Sequence, residues 1–349
     1  MRILQIMAGA TNGGAETYST DVMASLHAEG IEQVLVVPRQ SIHHERLSAL
    51  GTKMAPEVLD APLMFLQKMR LKKLIASYKP DLVHCWMRRA ATLTPMLDVP
   101  VIGWFGGYYE PKHFVSASYF VGVTKDIVAH QVTHGVAPDR AFYVPTFPTI
   151  ESALPVERAA LDTRPDQRAV LALSRLHEKK GLDVLLKAAV SLPDVVLWIA
   201  GDGPLEADLK ALAVSLGVAD RVRWLGWRTD RGALLAGCDI CVMPSRWEPF
   251  GTVMLEAWAA ERPLVVAAAQ GPKATIRDGE NGLMVPIDDV AALAQALRRA
   301  IDDKPLAQRM VANGLAEYRS TFTREAVTAQ MLALYRTLIS RHGSGRTQS

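Results

Sequence analysis

Residues 244–256 read PSRWEPFGTVMLE. An apolar run at 238–243, CDICVM, precedes this stretch, and a helix-period segment at 252–260 overlaps its end. The pattern is strand, loop, helix. A short continuous apolar run marks a strand buried on both faces of a parallel sheet. Glu248 lies in the loop and Glu256 about one turn inside the helix, eight positions apart. Between them, Gly251 and Thr252 fall at the helix start, where free N–H groups and the helix dipole favour an anion. Carboxylates accept hydrogen bonds from pairs of hydroxyls. The order carboxylate, anion-binding helix end, carboxylate therefore matches sugar hydroxyls, diphosphate and ribose hydroxyls in sequence. Trp247 and Phe250 flank Glu248, which suits a built site better than a solvated surface glutamate.

Working outward, the same unit recurs. Apolar runs at 2–7, 33–37, 81–85, 99–104, 119–123 and 142–144 predict strands in the first half. Those at 169–174, 195–200, 222–225, 238–243, 264–268 and 283–285 predict strands in the second. Helix-period segments lie between them at 15–28, 63–78, 125–134, 182–191, 205–216 and 252–260. Such alternation argues for a doubly wound α/β fold. The stretch 145–166 holds Pro145, Pro148, Pro155 and Pro165 and reads as a linker. Two Rossmann-like domains, 1–150 and 166–320, are expected. An amphipathic helix over 323–340 is expected to pack back on the first, with the tail HGSGRTQS frayed.

Composition narrows the function. The 349 residues suit about two domains. A chain 49% hydrophobic and 21% charged is an ordinary globular mix. Three cysteines exclude a disulfide scaffold. Cys238-Asp239-Ile240-Cys241 lacks the second pair that a zinc site needs and reads as core. With 39 basic and 36 acidic residues, the charge is too balanced for a nucleic-acid binder. No stretch reaches the ~18 apolar residues of a membrane span. The opening MRILQIMAGATNGGAE does not read as a signal peptide, so a cytoplasmic protein is expected.

Open α/β sheets bind ligands beyond the carboxyl ends of their strands. After the first strand comes Gly9-Ala-Thr-Asn-Gly13-Gly14-Ala15-Glu16. This is either a phosphate-approaching loop or a plain tight turn. It lacks the G-x-G-x-x-G spacing, and the second strand ends in Pro38-Arg39 without the acidic residue that holds an NAD ribose. An NAD(P) dehydrogenase is therefore disfavoured. Ser174-Arg175-Leu176-His177-Glu178-Lys179-Lys180-Gly181 sets cations at a strand end, either for a diphosphate or as a solvated basic loop. Gly201-Asp202-Gly203-Pro204 is a turn that starts a helix. Residues 63–78, LMFLQKMRLKKLIASY, place Leu63, Leu71, Leu74 and Ile75 on one helical face. Lys68, Lys72 and Lys73 lie opposite, with Phe65 and Met69 among them. That face suits an anionic membrane surface, or is the solvated side of an ordinary packed helix.

Together these motifs resemble the retaining glycosyltransferases of the GT-B fold, family four, which includes many bacterial envelope-sugar transferases. The carriers are Gly13-Gly14-Ala15-Glu16, Ser174-Arg175-Leu176 with Lys180-Gly181, Gly201-Asp202-Gly203-Pro204, Trp224-Leu225-Gly226 and the Glu248–Glu256 pair. Gly271-Pro272 and Ile276-Arg277-Asp278-Gly279-Glu280-Asn281-Gly282-Leu283 belong with them. The likeness covers nearly the whole chain and is most specific over 168–300. It implies an α/β, GT-B architecture: two Rossmann-like doubly wound parallel-sheet domains facing a central cleft. The first domain would bind the acceptor and the second the donor. The implied reaction moves a hexosyl group from a nucleotide-diphosphate sugar, UDP- or GDP-linked, to a glycan or lipid-linked saccharide. Envelope polysaccharide or lipopolysaccharide synthesis at the inner face of the cytoplasmic membrane is the implied setting.

Carried over residue by residue, Arg175 and Lys180 would bind the donor diphosphate and stabilise the leaving nucleotide. Glu248 would hold donor-sugar hydroxyls, and Glu256 the ribose. Pro249 and the amides around Phe250, Gly251 and Thr252 would contact sugar and phosphate. Gly201 would adjoin the donor, and backbone near Trp227 and Arg228 would meet the base. Gly13 and Gly14 would let the first-domain loop close over the phosphates. No metal and no further cofactor are implied, since the cationic pair takes the metal's place. Two departures stand out. Many relatives carry His-Gly after the fourth strand of the first domain, where this chain has Phe105-Gly106-Gly107-Tyr108-Tyr109. Relatives often carry His-x-His after the third, where this chain has His84-Cys85-Trp86. His84 and His113 are the acceptor-side candidates. In the front-face route of retaining enzymes, the donor phosphate itself takes the acceptor proton. A nucleotide-sugar epimerase of similar architecture and a non-catalytic nucleotide-sugar-binding protein are the alternatives.

Overall fold

Continuous apolar runs become the inner strands of two parallel sheets. The computed structural model describes residues 1–9, 14–150 and 153–346. The first sheet contains β1 (Arg2–Met7), β2 (Glu32–Val36), β3 (Lys53–Met54), β4 (Leu82–Trp86), β5 (Val101–Phe105), β6 (Tyr119–Gly122) and β7 (Ala141–Tyr143). Its order is β3-β2-β1-β4-β5-β6-β7. The second contains β8 (Arg168–Leu173), β9 (Val195–Ala200), β10 (Val222–Gly226), β11 (Ile240–Met243), β12 (Leu264–Ala267) and β13 (Leu283–Val285). Its order is β10-β9-β8-β11-β12-β13. Every residue of β4, β5, β9, β11 and β12 is buried, as strands covered on both faces require.

In each sheet the chain steps outward from its first strand and then returns to the other side. The direction reverses between β1 and β4, and again between β8 and β11. At such a switch point the loops leaving adjacent strands diverge, and the crevice beyond their carboxyl ends takes ligands. β3 was not expected, because two residues carry too short a pattern to stand out. β11 starts at Ile240, two residues later than the apolar run suggests, because Cys238 closes the helix Arg231–Gly237. Cys238 and Cys241 are buried and unbonded, and burial pushes the Cys238 thiol up to about 12.

The chain divides into two compact units, one of Met1–Phe147 with the chain from Arg324 onward, the other of Pro148–Thr323. The proline-rich stretch is not a free linker. Val156 N–H donates to the Ala233 carbonyl at 3.0 Å, Arg158 pairs with Asp239 at 3.0 Å, and Trp198 Nε1 donates to Thr163 Oγ1 at 2.9 Å. These contacts fasten it to the second unit. The last helix, Arg324–Arg346, extends into the stretch expected to fray as far as Arg346, and residues 347–349 lie outside the described residues. Val327, Met331, Tyr335 and Leu338 are fully buried at helical spacing. Gln330 Nε2 donates to the Tyr143 carbonyl at 2.8 Å, and the Arg324 guanidinium lies 5.3 Å from the Phe147 ring centroid.

The basic helix is Met64–Tyr78, with Gln67, Leu71 and Tyr78 buried. Leu63 does not share that face. It precedes the helix with extended backbone (φ −113°, ψ 137°), so the helical wheel does not apply to it, and it is exposed. Met64, Phe65 and Met69 are exposed beside Lys72 and Lys73, while Lys68 is half-buried.

Because the last helix supplies core to the first unit, Tyr335→Ala should cost about 3–5 kcal/mol. Arg336→Ala, on the exposed side of the same helix, should stay within about 0.5 kcal/mol. Urea-unfolding midpoints of the two variants would check this; equal midpoints would contradict it.

Candidate functional site

The switch point of the second sheet is bounded by the loops leaving β8 and β11. They approach closely at Gly181, which turns with φ +65°. A β-carbon there would sit 2.1 Å from the Pro244 carbonyl oxygen, so both the turn and the approach require glycine. The Arg246 and Trp247 amides donate to the Lys179 carbonyl at 2.8 and 3.1 Å. The Arg246 guanidinium forks onto Asp183 with two bonds of 2.8 Å, donates to the Glu178 carbonyl at 2.8 Å, and reaches Asp288 at 2.6 Å. So joined, the loops bring Lys180 Nζ to 2.5 Å from Glu248 Oε2. The sequence assigned these side chains to neighbouring parts of one ligand. In the folded chain they are partners.

Glu248 is held from the other side by the Gly271 amide, which donates to its carbonyl at 2.8 Å. Pro249 is half-buried, and Phe250 is buried. Gly251 then caps the helix Thr252–Ala259 without any side-chain hydrogen bond. The first N–H groups of this helix therefore keep their donors for an anion. Thr252 is exposed at the mouth. Glu256, in the second turn, is only 2% exposed. Its Oε1 meets Arg231 Nη1 at 2.5 Å, and its Oε2 has no partner among the described residues. Burial lifts this carboxyl above the usual glutamate range, and Arg231 opposes the shift. A buried acceptor atom without a donor is costly unless a ligand supplies one.

The Gly201 turn packs against the loop after β8. A β-carbon at Gly201 would lie 2.0 Å from the Ser174 carbonyl oxygen, and the Leu176 amide donates to the Asp202 carbonyl at 2.7 Å. Close backbone packing accounts for glycine there. Arg175 is exposed, and its guanidinium has no partner among the described residues. Trp227 is 72% exposed. Arg228 forks onto Asp230 at 2.7 and 2.5 Å.

The first unit corrects one expectation. His84 is fully buried, stacked 4.1 Å from the Trp86 ring, with Nδ1 2.5 Å from the Tyr335 hydroxyl. Burial pulls it down to about 3, so the ring is neutral at physiological pH. It is a core residue and does not meet solvent. His113 is exposed at the end of the short helix Pro111–His113. Gly13 lies outside the described residues. Gly14 is exposed at the start of the helix Gly14–Ala28, where a β-carbon would meet nothing within 4 Å.

Sequence reasoning assigned no role to Arg231, Asp183 or Arg246. Arg246 sat inside the most informative stretch, but its partners lie far away in sequence. Asn281, in the downstream motif, is structural. It is buried, its Oδ1 accepts from the Arg277 amide at 2.7 Å, and its Nδ2 donates to Glu317 at 2.8 Å. Among the described residues, no group of three or more His, Cys, Asp or Glu side chains is arranged to hold a metal ion.

Glu256 gives a pH test. Its folded value is raised, so the folded chain holds that proton to higher pH than the unfolded chain. This contribution to stability is full below the ordinary glutamate value and is lost as pH rises through the raised one. Glu256→Gln removes the titration, and should hold its urea midpoint better than the parent between acid and neutral pH. Parallel midpoint curves for the two proteins would contradict the shift.

Comparison with known proteins agrees with this architecture. The family model for glycosyl transferases group 1 matches residues 155–316, and that for glycosyltransferase family 4 matches residues 12–147. The chain is 31% identical over 325 residues to the lipopolysaccharide core biosynthesis glycosyltransferase LpsE of Rhizobium meliloti, covering 93% of this chain and 96% of that protein. It is also 31% identical over 340 residues to LpsD of the same organism, covering 96% and 98%. Among solved structures, Anabaena HepE in complex with UDP-glucose superposes with a TM-score of 0.79 at 21% identity, covering 97% of this chain and 100% of that one. The two parallel-sheet units are those of the GT-B fold. The chain belongs to glycosyltransferase family 4.

Proposed function

We propose that this glycosyltransferase moves a hexosyl group, with retention and without a divalent metal, from a nucleotide-diphosphate sugar to a saccharide of the lipopolysaccharide core. One observation carries the donor reading: an uncapped helix start stands between Glu248, paired with Lys180, and the buried Glu256. The names of LpsE and LpsD support the acceptor class. The UDP-glucose in Anabaena HepE supports a UDP-linked donor.

On this reading, the free Oε2 of Glu256 accepts a ribose hydroxyl. Arg175, Lys180 and the amides of Gly251 and Thr252 receive the diphosphate. Without donor, Glu248 and Lys180 neutralise each other. With donor, Lys180 turns to phosphate and Glu248 to sugar hydroxyls. The anomeric carbon–phosphate bond breaks as the acceptor oxygen attacks the same face. The leaving phosphate oxygen takes the acceptor proton, so no protein base is required. The cations and helix amides stabilise the charge that develops on the diphosphate, and their two positive side chains do the work of a metal.

The helix Met64–Tyr78 supports a peripheral membrane contact. Its exposed Met64, Phe65 and Met69 sit among Lys72, Lys73 and Arg70, with no acidic residue in the helix. This fits insertion of apolar side chains at an anionic interface.

Calorimetry against UDP, GDP and ADP should find one nucleoside diphosphate bound, and weaker binding in Glu256→Ala. In transfer assays, Lys180→Ala and Glu248→Ala should each lose at least ~100-fold, on the order of 3 kcal/mol, and EDTA should change nothing. Full activity in either variant, or loss of activity with EDTA, would end the corresponding part of the proposal. The chain should also sediment with vesicles of anionic phospholipid. Replacing Lys68, Lys72 and Lys73 by Glu should abolish that, and sedimentation of the triple variant at the parental level would refute the membrane contact.

A further inference from the structure

The first sheet has its own switch point, between β1 and β4. Trp86 ends β4, and the next residue, Met87, has φ +66°, a left-handed backbone that non-glycine residues rarely adopt. Met87 opens the helix Met87–Leu93, which places Arg88 and Arg89 just beyond the strand's carboxyl end. Both are exposed, and neither guanidinium has a hydrogen bond or ion pair to a described residue. Several other arginines of this unit are engaged. Arg46 pairs with Asp21 at 2.6 Å, Arg39 with Asp60 at 3.0 Å, and Arg70 donates to the Glu57 carbonyl at 2.6 Å.

The short helix Pro111–His113 packs against Met87–Leu93 and carries exposed His113 and exposed Lys112, which pairs with Glu110 at 3.7 Å. A β-carbon built on Gly9 would meet Glu16 Oε1 at 2.3 Å and Met87 Cε at 2.6 Å, so these two side chains meet beyond the carboxyl ends of β1 and β4. Tyr109, from the loop after β5, is 38% exposed, and its phenol is pushed up by partial burial and by Glu16. A carboxylate and a phenol suit saccharide hydroxyls. Two free guanidinium forks suit a phosphate or carboxylate, whose oxygens they match in pairs.

We infer that the acceptor saccharide carries an anionic group, phosphate or carboxylate, and that Arg88 and Arg89 bind it at the switch point of the first sheet. This rests on the acceptor reading given under Proposed function. The arginines are binding residues, remote in role from bond-making, so they act on acceptor affinity and leave the donor untouched.

The test uses the full chain and deacylated lipopolysaccharide core oligosaccharide in three forms: native, dephosphorylated and carboxyl-reduced. Calorimetry should show native oligosaccharide binding weakened at least about tenfold in the double variant Arg88→Ala, Arg89→Ala. The same variant should bind one neutralised form as the parent does, and that form names the group recognised. Nucleotide binding should be unchanged, and Arg→Lys at both positions should restore affinity in part. Three results would overturn the inference: no binding of native oligosaccharide by the parent, equal affinity in parent and variant, or equal weakening toward all three forms. A fourth is loss of anionic-vesicle sedimentation with oligosaccharide binding intact, which would assign the arginines to lipid. If oligosaccharide binds through the arginines yet receives no hexose from any UDP-sugar, the proposed reaction falls and this inference stands.

Discussion

The second unit depends on how closely two loops approach beyond one pair of strands. At Gly181 the chain turns left-handed with no room for a side chain, because the Pro244 carbonyl occupies that space. Any larger residue would strain the turn and push the β11 loop away. The loops meet there, so Arg246 reaches Asp183, Glu178 and Asp288 together. Lys180 and Glu248 then share a bond although 68 residues separate them. A bidentate guanidinium–carboxylate pair adds direction to attraction, so the clamp fixes the orientation of the loops as well as their distance. The helix start at Gly251, with its unused amides, inherits that placement.

Charge is handled differently at the two ends of this arrangement. Lys180 and Glu248 are partly buried and neutralise each other, so the pair leaves little unbalanced charge where solvent is thin. Glu256 is more deeply buried, and Arg231 satisfies only one of its oxygens. Burial raises its proton affinity, while the Arg231 contact favours the charged form. The remaining acceptor atom is the kind of unsatisfied group that folded interiors avoid. Its persistence at the base of an uncapped helix start is understandable if a hydroxyl-bearing ligand completes it.

Much of this was readable from the sequence because parallel strands buried on both faces leave continuous apolar runs. β1, β9 and β13 end where their runs end. The short β3 left no such trace, and the strand order came from pairings that a linear pattern does not contain. In the loops after β8 and β11, residue types and spacing singled out Arg175, Lys180, Glu248 and Glu256, of which the fold pairs Lys180 with Glu248 and buries Glu256. Arg231 stayed hidden because its partner lies 25 residues on, in another helix. His84 was misread for a related reason. A histidine near a strand end looks the same in sequence whether it faces a ligand or the core. What decides is Tyr335, 251 residues later, on a helix that returns to cover it. Leu63 shows the local version: a helical wheel assigns a face only to residues inside the helix, and Leu63 lies one step before it.

The arginines bring these threads together. Many are consumed by the fold. Arg158, Arg231, Arg246 and Arg298 bind carboxylates, and Arg221 gathers the carbonyls of Ala189, Leu192 and Val195. A guanidinium bound in this way has few of its five N–H donors left for anything else. Arg175 in the second unit, and Arg88 and Arg89 in the first, keep theirs free among the described residues, and each follows a strand that borders a switch point. Exposure alone would not distinguish them, since an exposed arginine is ordinary on any surface. Position does, because the carboxyl ends of those particular strands are where this architecture opens a crevice. On the proposed reading, an anionic acceptor in the first unit and a diphosphate in the second would use the same topological opportunity twice, since free cations stand at both switch points.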